Sequence, residues 1–507
     1  MSTMQNRFSI VNAMLYDGTG AKPFAADVSV ENGRIVSVVP AGTGKTAGEA
    51  IDAGGCALAP GFIDVHSHSD GPVLRIPLGD SRVAQGITTE VIGNCGFTEF
   101  RAEGDNTDMD AYEALYRQAR PSTNIATLIG HGTLRMQVMG CENRPASPAE
   151  IGRMRDLLAR ALEKGAAGMS SGLWYIPGKY SDTEEVCAVA SALKGTTKPY
   201  ATHMRSEDDT LLEAMEEAVT IARAGSNSLQ ISHFKTCGRA NWHKIDAALA
   251  LVEKYRAEGM DILADRYPYL YTETGLRMAL PPPYDAIHNI RGLLQDNPDE
   301  QRKLVEAFRR VKELSTPWNK IIVIDSDNEA HAPYCGKTVA DIGSMMSLTP
   351  EEAYVRLISQ GTLHAAFGRM CVENLRRILA CDWVVAGSDS STHPFVSPIC
   401  HPREFGTMAR FFRLACETSA PEAVIRRMTS LPAAKFNLKD RGTVAPGFCA
   451  DLVLFRPEQF DAPVDYAKPD QVPGGIEKVF VNGRTVYAAG TKNAGVEPGA
   501  GDFLRVF

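Results

Sequence analysis

The chain has 507 residues, 44% of them hydrophobic and 22% charged, an ordinary globular composition with enough length for a large core that needs neither disulfides nor a structural metal. A formal net charge of −8 and the lack of any Lys/Arg-rich run argue against a nucleic-acid partner, and no apolar stretch approaches the roughly 18 residues of a membrane span. Eleven scattered cysteines without a CxxC pair, and an N-terminus without the basic-then-apolar shape of a signal peptide, lead to the expectation of a cytoplasmic protein with free thiols.

The chain opens on strands. "FSIVNAMLYDG" and "ADVSVENGRIVSVVP" alternate apolar and polar residues around an Asn-Gly hairpin signal. The pattern returns near the C-terminus in "DLVLFRP" and "IEKVFVNGRTVYAAG", so residues 1–60 and 436–507 are expected to complete one small β-sandwich. Between them, short apolar strands such as "TNIATLIGHG", "KPYATHMRSE", "SLQISHFKT" and "DWVVAGSDS" alternate with helical stretches such as "PAEIGRMRDLLARALEKGA". Repeated βα units imply a parallel sheet. About eight of them imply a (β/α)8 TIM-type barrel of the α/β class over residues 61–280 and 349–435. Residues 281–348 break the rhythm with a Pro-Pro-Pro run and a charged helix, and read as a small inserted domain.

The polar residues of interest share one position, the C-terminal end of a strand, where a barrel gathers its functional groups. His66 and His68 follow "GFIDV", Cys95 follows "TEVIGN", His203 follows "PYAT", His233 follows "LQIS" and Asp389 follows "WVVAGS". Side chains two apart on a strand point the same way, so His66 and His68 aim two imidazoles at one point, as metal ligands do. A single histidine or cysteine at a strand end is more often structural. Four of only eleven histidines, with a cysteine and an aspartate in the same context, make coincidence a poor account. His131, His364, His393 and His401 take the structural reading by default.

These stretches resemble the amidohydrolase superfamily and, within it, the N-acyl-D-amino-acid deacylases (D-aminoacylases). "PGFIDVHSHSD", "GITTEVIGNCG", "GHGTLR", "GLWYIPGKY", "THMRSE", "ISHFK", "YPY", "GSDS", "HPREFG" and "GTVAPGFCADLVLF" follow that family's order over nearly the whole chain. The resemblance implies a barrel with a flanking β-sandwich and a metal centre. Many relatives bridge two metals with a carboxylated lysine on a middle strand. Here that strand reads "AAGMSSGL", and Cys95 matches the cysteine that D-aminoacylases use instead. The implied ligands are Cys95, His203 and His233 for one tight Zn(2+), and His66, His68 and Asp389 for a second, weaker site.

The implied reaction is hydrolysis of the amide of an N-acyl-D-amino acid, a small-molecule substrate, with Asp389 as general base and acid. Arg403 matches the family's carboxylate-binding arginine. Lys235 lies two residues beyond His233 and shares its side if the strand continues, and Tyr175 and Tyr267 match pocket positions. Three departures stand out: "SDSS" in the last-strand motif, "LYTETG" after "YPY", and "GFTEF" after the cysteine. The second alters the pocket wall, and Glu273 within it would disfavour an acidic substrate side chain if it faces the pocket. A D-dipeptidase falls within this reading. A hydantoinase- or dihydroorotase-like enzyme is the nearest rival, and the absent lysine opposes it. A non-catalytic barrel scaffold is opposed by six filled ligand positions. Side-chain preference, acyl group and oligomeric state are not legible.

Overall fold

The computed structural model describes residues 7–44, 48–99, 108–311, 314, 316–395, 400–466, 468–490 and 498–507. Eight parallel strands form the central sheet. In chain order they are β1 (Phe62–Asp64), β2 (Ile87–Ile92), β3 (Asn124–Gly130), β4 (Gly168–Gly172), β5 (Tyr200–His203), β6 (Ser228–Ile231), β7 (Asp261–Arg266) and β8 (Val384–Ala386). Each pairs in parallel with the next, and their burial on both faces explains the near-continuous apolar runs. The sheet closes just beyond the strand ends. Ser67 bridges Ser390 in parallel, His68 N donates to Ser390 O (2.8 Å), and Asp389 N donates to His66 O (2.7 Å). The barrel is therefore sealed by the segments that carry His66, His68 and Asp389.

Helices cover the barrel. The one over Pro148–Glu163 starts at a reciprocal cap in which Ser147 and Glu150 satisfy each other's backbone N–H groups, with proline in its first turn. Among the described residues no helix is long and apolar enough to cross a membrane.

Both chain ends meet in a second eight-stranded sheet, where Leu452–Phe455 runs antiparallel to Ala57–Pro60. Its two Asn-Gly hairpins turn as the sequence implied, with positive φ at Asn32 (51°), Gly33 (77°), Asn482 (49°) and Gly483 (75°). The two turns also touch: a Cβ on Gly33 would lie 2.7 Å from Asn482 O, so only glycine permits the approach. Phe62 of β1 is fully buried against Phe455 and Phe460, with ring centroids 6.0 and 5.7 Å away, which fastens the barrel to this sheet. A third, three-stranded sheet lies between β7 and β8 in the chain. It is built from Tyr271–Gly275, Leu363–Gly368 and Ile321–Ser326, so it draws two strands from outside residues 281–348.

Candidate active site

The six candidate ligand residues converge at the C-terminal ends of the barrel strands. Cys95 Sγ lies 3.3 Å from His66 Nε2, 3.8 Å from His233 Nε2 and 3.9 Å from His203 Nδ1. Asp389 Oδ1 lies 3.1 Å from His68 Nε2 and 3.3 Å from His66 Nε2. Two groups able to hold a metal ion result, His66–His68–Cys95–Asp389 and Cys95–His203–His233, each with its donor atoms within 4.8 Å of one another. Cys95 belongs to both. The donor chemistry fits a borderline-soft cation: one thiol, four imidazoles and one carboxylate, drawn together where water has little access.

Strand periodicity alone does not build this cluster. β1 ends at Asp64 and β6 at Ile231, so His66, His68 and His233 lie beyond the regular ladder. Cys95 (φ 53°), His233 (φ 38°) and Asp389 (φ 52°) all adopt left-handed backbone, a conformation that costs about 1 kcal/mol or more for such residues and gathers at functional sites. The bare surface of β4 makes room for Cys95. A Cβ on Gly172 would lie 2.0 Å from the Cys95 carbonyl oxygen, so the strand that offers no lysine is the one on which the cysteine loop rests.

Two carboxylates outside the expected set hold the imidazoles. Asp265, at the end of β7, places Oδ1 3.0 Å from His66 Nδ1 while accepting from the backbone N–H of His233 (2.7 Å), and its Oδ2 accepts from Gln230 (2.9 Å). Glu207 places Oε1 2.8 Å from His233 Nδ1 and also pairs with Lys235. Such partners fix ring orientation and raise ligand basicity. Glu207 stands within the stretch "THMRSE" and Asp265 two residues before "YPY", but nothing local distinguishes them from ordinary surface acids.

The two anionic donors are held ionised, as metal ligands must be. Burial alone would raise the Cys95 thiol, but His66, His203 and His233 around it outweigh burial and hold it well below the ordinary thiol range. Burial likewise opposes ionisation of Asp389, and Arg403, His66 and His68 reverse it, leaving the carboxyl well below its usual value. Burial lowers His203 toward the neutral imidazole a metal needs, whereas the acids and the thiol beside His66, His68 and His233 outweigh burial and raise these three.

A cavity opens over the cluster, with His203, His233 and Asp389 among its lining residues. Tyr175, Tyr267 and Lys235 also line it. The Tyr175 ring sits 4.7 Å from that of His203, and the buried Tyr267 hydroxyl has no hydrogen-bond partner. Lys235 is only 2% exposed, its Nζ 2.7 Å from His233 Nδ1. Arg403 sits behind the wall: Nη1 donates to Asp389 Oδ2 (2.7 Å), Nη2 lies 3.4 Å from Glu273 Oε2, and Nε has no partner. Below the cavity the fully buried Arg82 ties these segments together. Its guanidinium meets Asp64 (3.3 Å), Ser388 (3.1 Å), Ser390 (2.8 Å) and Glu404 (3.0 Å), each one or two residues from a ligand or from Arg403.

Comparison with known proteins decides the family. The amidohydrolase family pattern matches residues 49–314. The chain is 32% identical to the N-acyl-D-aspartate deacylase of Alcaligenes xylosoxydans xylosoxydans, over 98% of this chain and 94% of that one. The chain belongs to the amidohydrolase family. Within that family it stands with the D-aminoacylases. The N-acyl-D-glutamate deacylase of the same organism is 31% identical over 96% of this chain and 94% of that one. The crystal structure of the N-acyl-D-glutamate deacylase of Bordetella bronchiseptica superposes with a TM-score of 0.81 at 29% identity, covering 98% of this chain and 99% of that one. That structure holds zinc and a phosphonate that mimics the tetrahedral intermediate. As an amidohydrolase of this branch, the protein is a metal-dependent hydrolase acting on amides.

Proposed function

We propose that the protein is a zinc-dependent deacylase that hydrolyses N-acyl-D-amino acids to a carboxylate and a free D-amino acid. The observation that carries this reading is the shared position of Cys95, whose thiol belongs to both donor groups where the middle strand offers no lysine. Cys95, His203 and His233 would hold the tight zinc, and His66, His68 and Asp389 the weaker one. Bound zinc acidifies a water and polarises the scissile carbonyl.

The protein's own groups do the rest. Asp389, ionised in this setting, accepts the proton of the attacking water and returns it to the leaving nitrogen as the C–N bond breaks. Arg403 has its Nε donor left for the substrate α-carboxylate, and Tyr267 Oη and Lys235 stand on the same side. Tyr175, its ring tilted at 60° to that of His203, covers the reacting centre. The D configuration rests on the relatives. Eleven free thiols support a reducing, cytoplasmic compartment.

The test is metal content together with hydrolysis of paired N-acetyl-D- and N-acetyl-L-amino acids, with chelation and zinc add-back. Zinc-dependent amine release from the D series is the expected result. Bound zinc with turnover of neither series would redirect the reading to cyclic amides and dipeptides.

A further inference from the structure

The three-stranded inserted sheet supplies part of the cavity wall, and it carries a largely buried carboxylate. Glu273 sits in the middle of the strand Tyr271–Gly275, paired with Ala366 across a regular antiparallel ladder. The sheet therefore fixes its position rather than leaving it on a loop. The side chain is 14% exposed and lines the same cavity as His203, His233 and Asp389. Its Oε2 is buried and accepts no hydrogen bond, although Arg403 stands 3.4 Å away. Burial, only partly offset by Arg403, pushes this carboxyl up to about 7, as expected of a charge without a full complement of partners.

The charges around the cavity have a definite balance. Among the described residues, three side-chain cations at the cavity each face a protein carboxylate, while a fourth, the fully buried Arg266 packed 4.3 Å from the Tyr267 ring, has none. Lys235 meets Glu207, Arg369 meets Asp208 (3.0 Å), and Arg403 meets Asp389 (2.7 Å) and Glu273. Four carboxylates thus stand against those three cations, with Arg266 held behind the Tyr267 ring. One substrate carboxylate can use the spare donors of Arg403 and Tyr267. A second would find none of those three cations unmatched, and would face the acceptor oxygen of Glu273.

We infer that Glu273 is a specificity-determining residue, which turns away substrates with an acidic side chain and selects N-acyl-D-amino acids whose side chain ends in N–H donors, a carboxamide or a cation. The orphaned oxygen lacks a donor, and a substrate N–H or cation that supplies one also draws this carboxyl toward its ionised, acceptor-only form. The inference rests on the deacylase reading, and it sets this chain apart from relatives named for D-aspartate and D-glutamate.

The experiment compares kcat/KM of the zinc-loaded enzyme for N-acetyl-D-glutamine, N-acetyl-D-lysine, N-acetyl-D-methionine and N-acetyl-D-glutamate, with Glu273→Gln alongside. The wild type is expected to prefer the glutamine or lysine derivative over the glutamate derivative by about thirtyfold or more, since like charges in a desolvated site repel strongly. Glu273→Gln should narrow that ratio by about tenfold, through KM rather than kcat. Competitive inhibition of the wild type by free D-glutamine, D-lysine and D-glutamate gives the same ranking without any variant. A preference for the glutamate or methionine derivative, or a ratio that Glu273→Gln leaves alone, overturns the role of Glu273 while the deacylase stands. Turnover of none of the four by the wild type overturns the deacylase reading and this inference with it.

Discussion

The floor of the cavity and its wall are built on different terms. On the floor, most groups have a protein partner: His66 has Asp265, His233 has Glu207, and Asp389 has Arg403. On the wall supplied by the inserted sheet and its flanks, Thr316 Oγ1 and Arg369 Nε are buried without one, and Glu273 Oε2 accepts no hydrogen bond, with only the Arg403 guanidinium 3.4 Å away. A satisfied polar network is rigid and needs nothing from outside, whereas an orphaned polar group is costly until a ligand supplies its partner. The difference teaches that the barrel holds the chemistry ready in advance, and that the insertion waits for the substrate to complete it.

The contrast can be broken from the floor. Cys95→Ala removes the donor common to both groups; zinc content should fall by at least one ion per chain and kcat by about a thousandfold or more, on every N-acyl substrate. Retained zinc and near-normal turnover would end the shared-thiol account. Asp389→Asn should keep most of the tight metal and lose about a thousandfold in kcat, because the amide cannot carry the proton. Arg82→Met leaves Asp64 and Glu404 buried without their cation, and unfolding by denaturant should show a loss of about 3–5 kcal/mol. Asp265→Asn keeps the shape but weakens the hold on His66, for a loss of about 10- to 100-fold in metal affinity or activity, equal across substrates. A substrate-dependent loss there would show that floor and wall are not separable.

The smallest effect belongs to the wall. Thr316→Val replaces an unpartnered buried hydroxyl with a methyl of the same shape, so the free protein should be unchanged or more stable by up to about 1 kcal/mol. Destabilisation beyond that, read from denaturant midpoints, would mean the hydroxyl has a partner and the wall is not waiting for one.

Much of the barrel is legible in the sequence, because its signals are local. Apolar runs bounded by turns mark β3 and β5, the Ser147–Glu150 cap marks a helix start, and Asn-Gly marks both terminal hairpins. The candidate ligand residues are legible because histidine and cysteine are scarce and cluster at strand ends. Asp265 and Glu207 are not, since an acid that orients an imidazole looks in sequence like any other acid. Nor is the geometry at His233, where the strand has already ended and the backbone has turned left-handed.

By itself the sequence determined the order of βα units, the candidate donor residues and the absence of a lysine on β4. It also placed an acid at Glu273, with no means of saying which way that acid faced. Only the tertiary structure decided that Glu273 lines the cavity, that Arg403 stands between Glu273 and Asp389, and that Gly172 is bare so that Cys95 can rest against it. The physical reason is range. Strand and helix periodicity are fixed by neighbours a few residues apart, whereas an ion pair between Glu273 and Arg403 depends on how a whole inserted sheet packs over the barrel mouth, which no local pattern encodes.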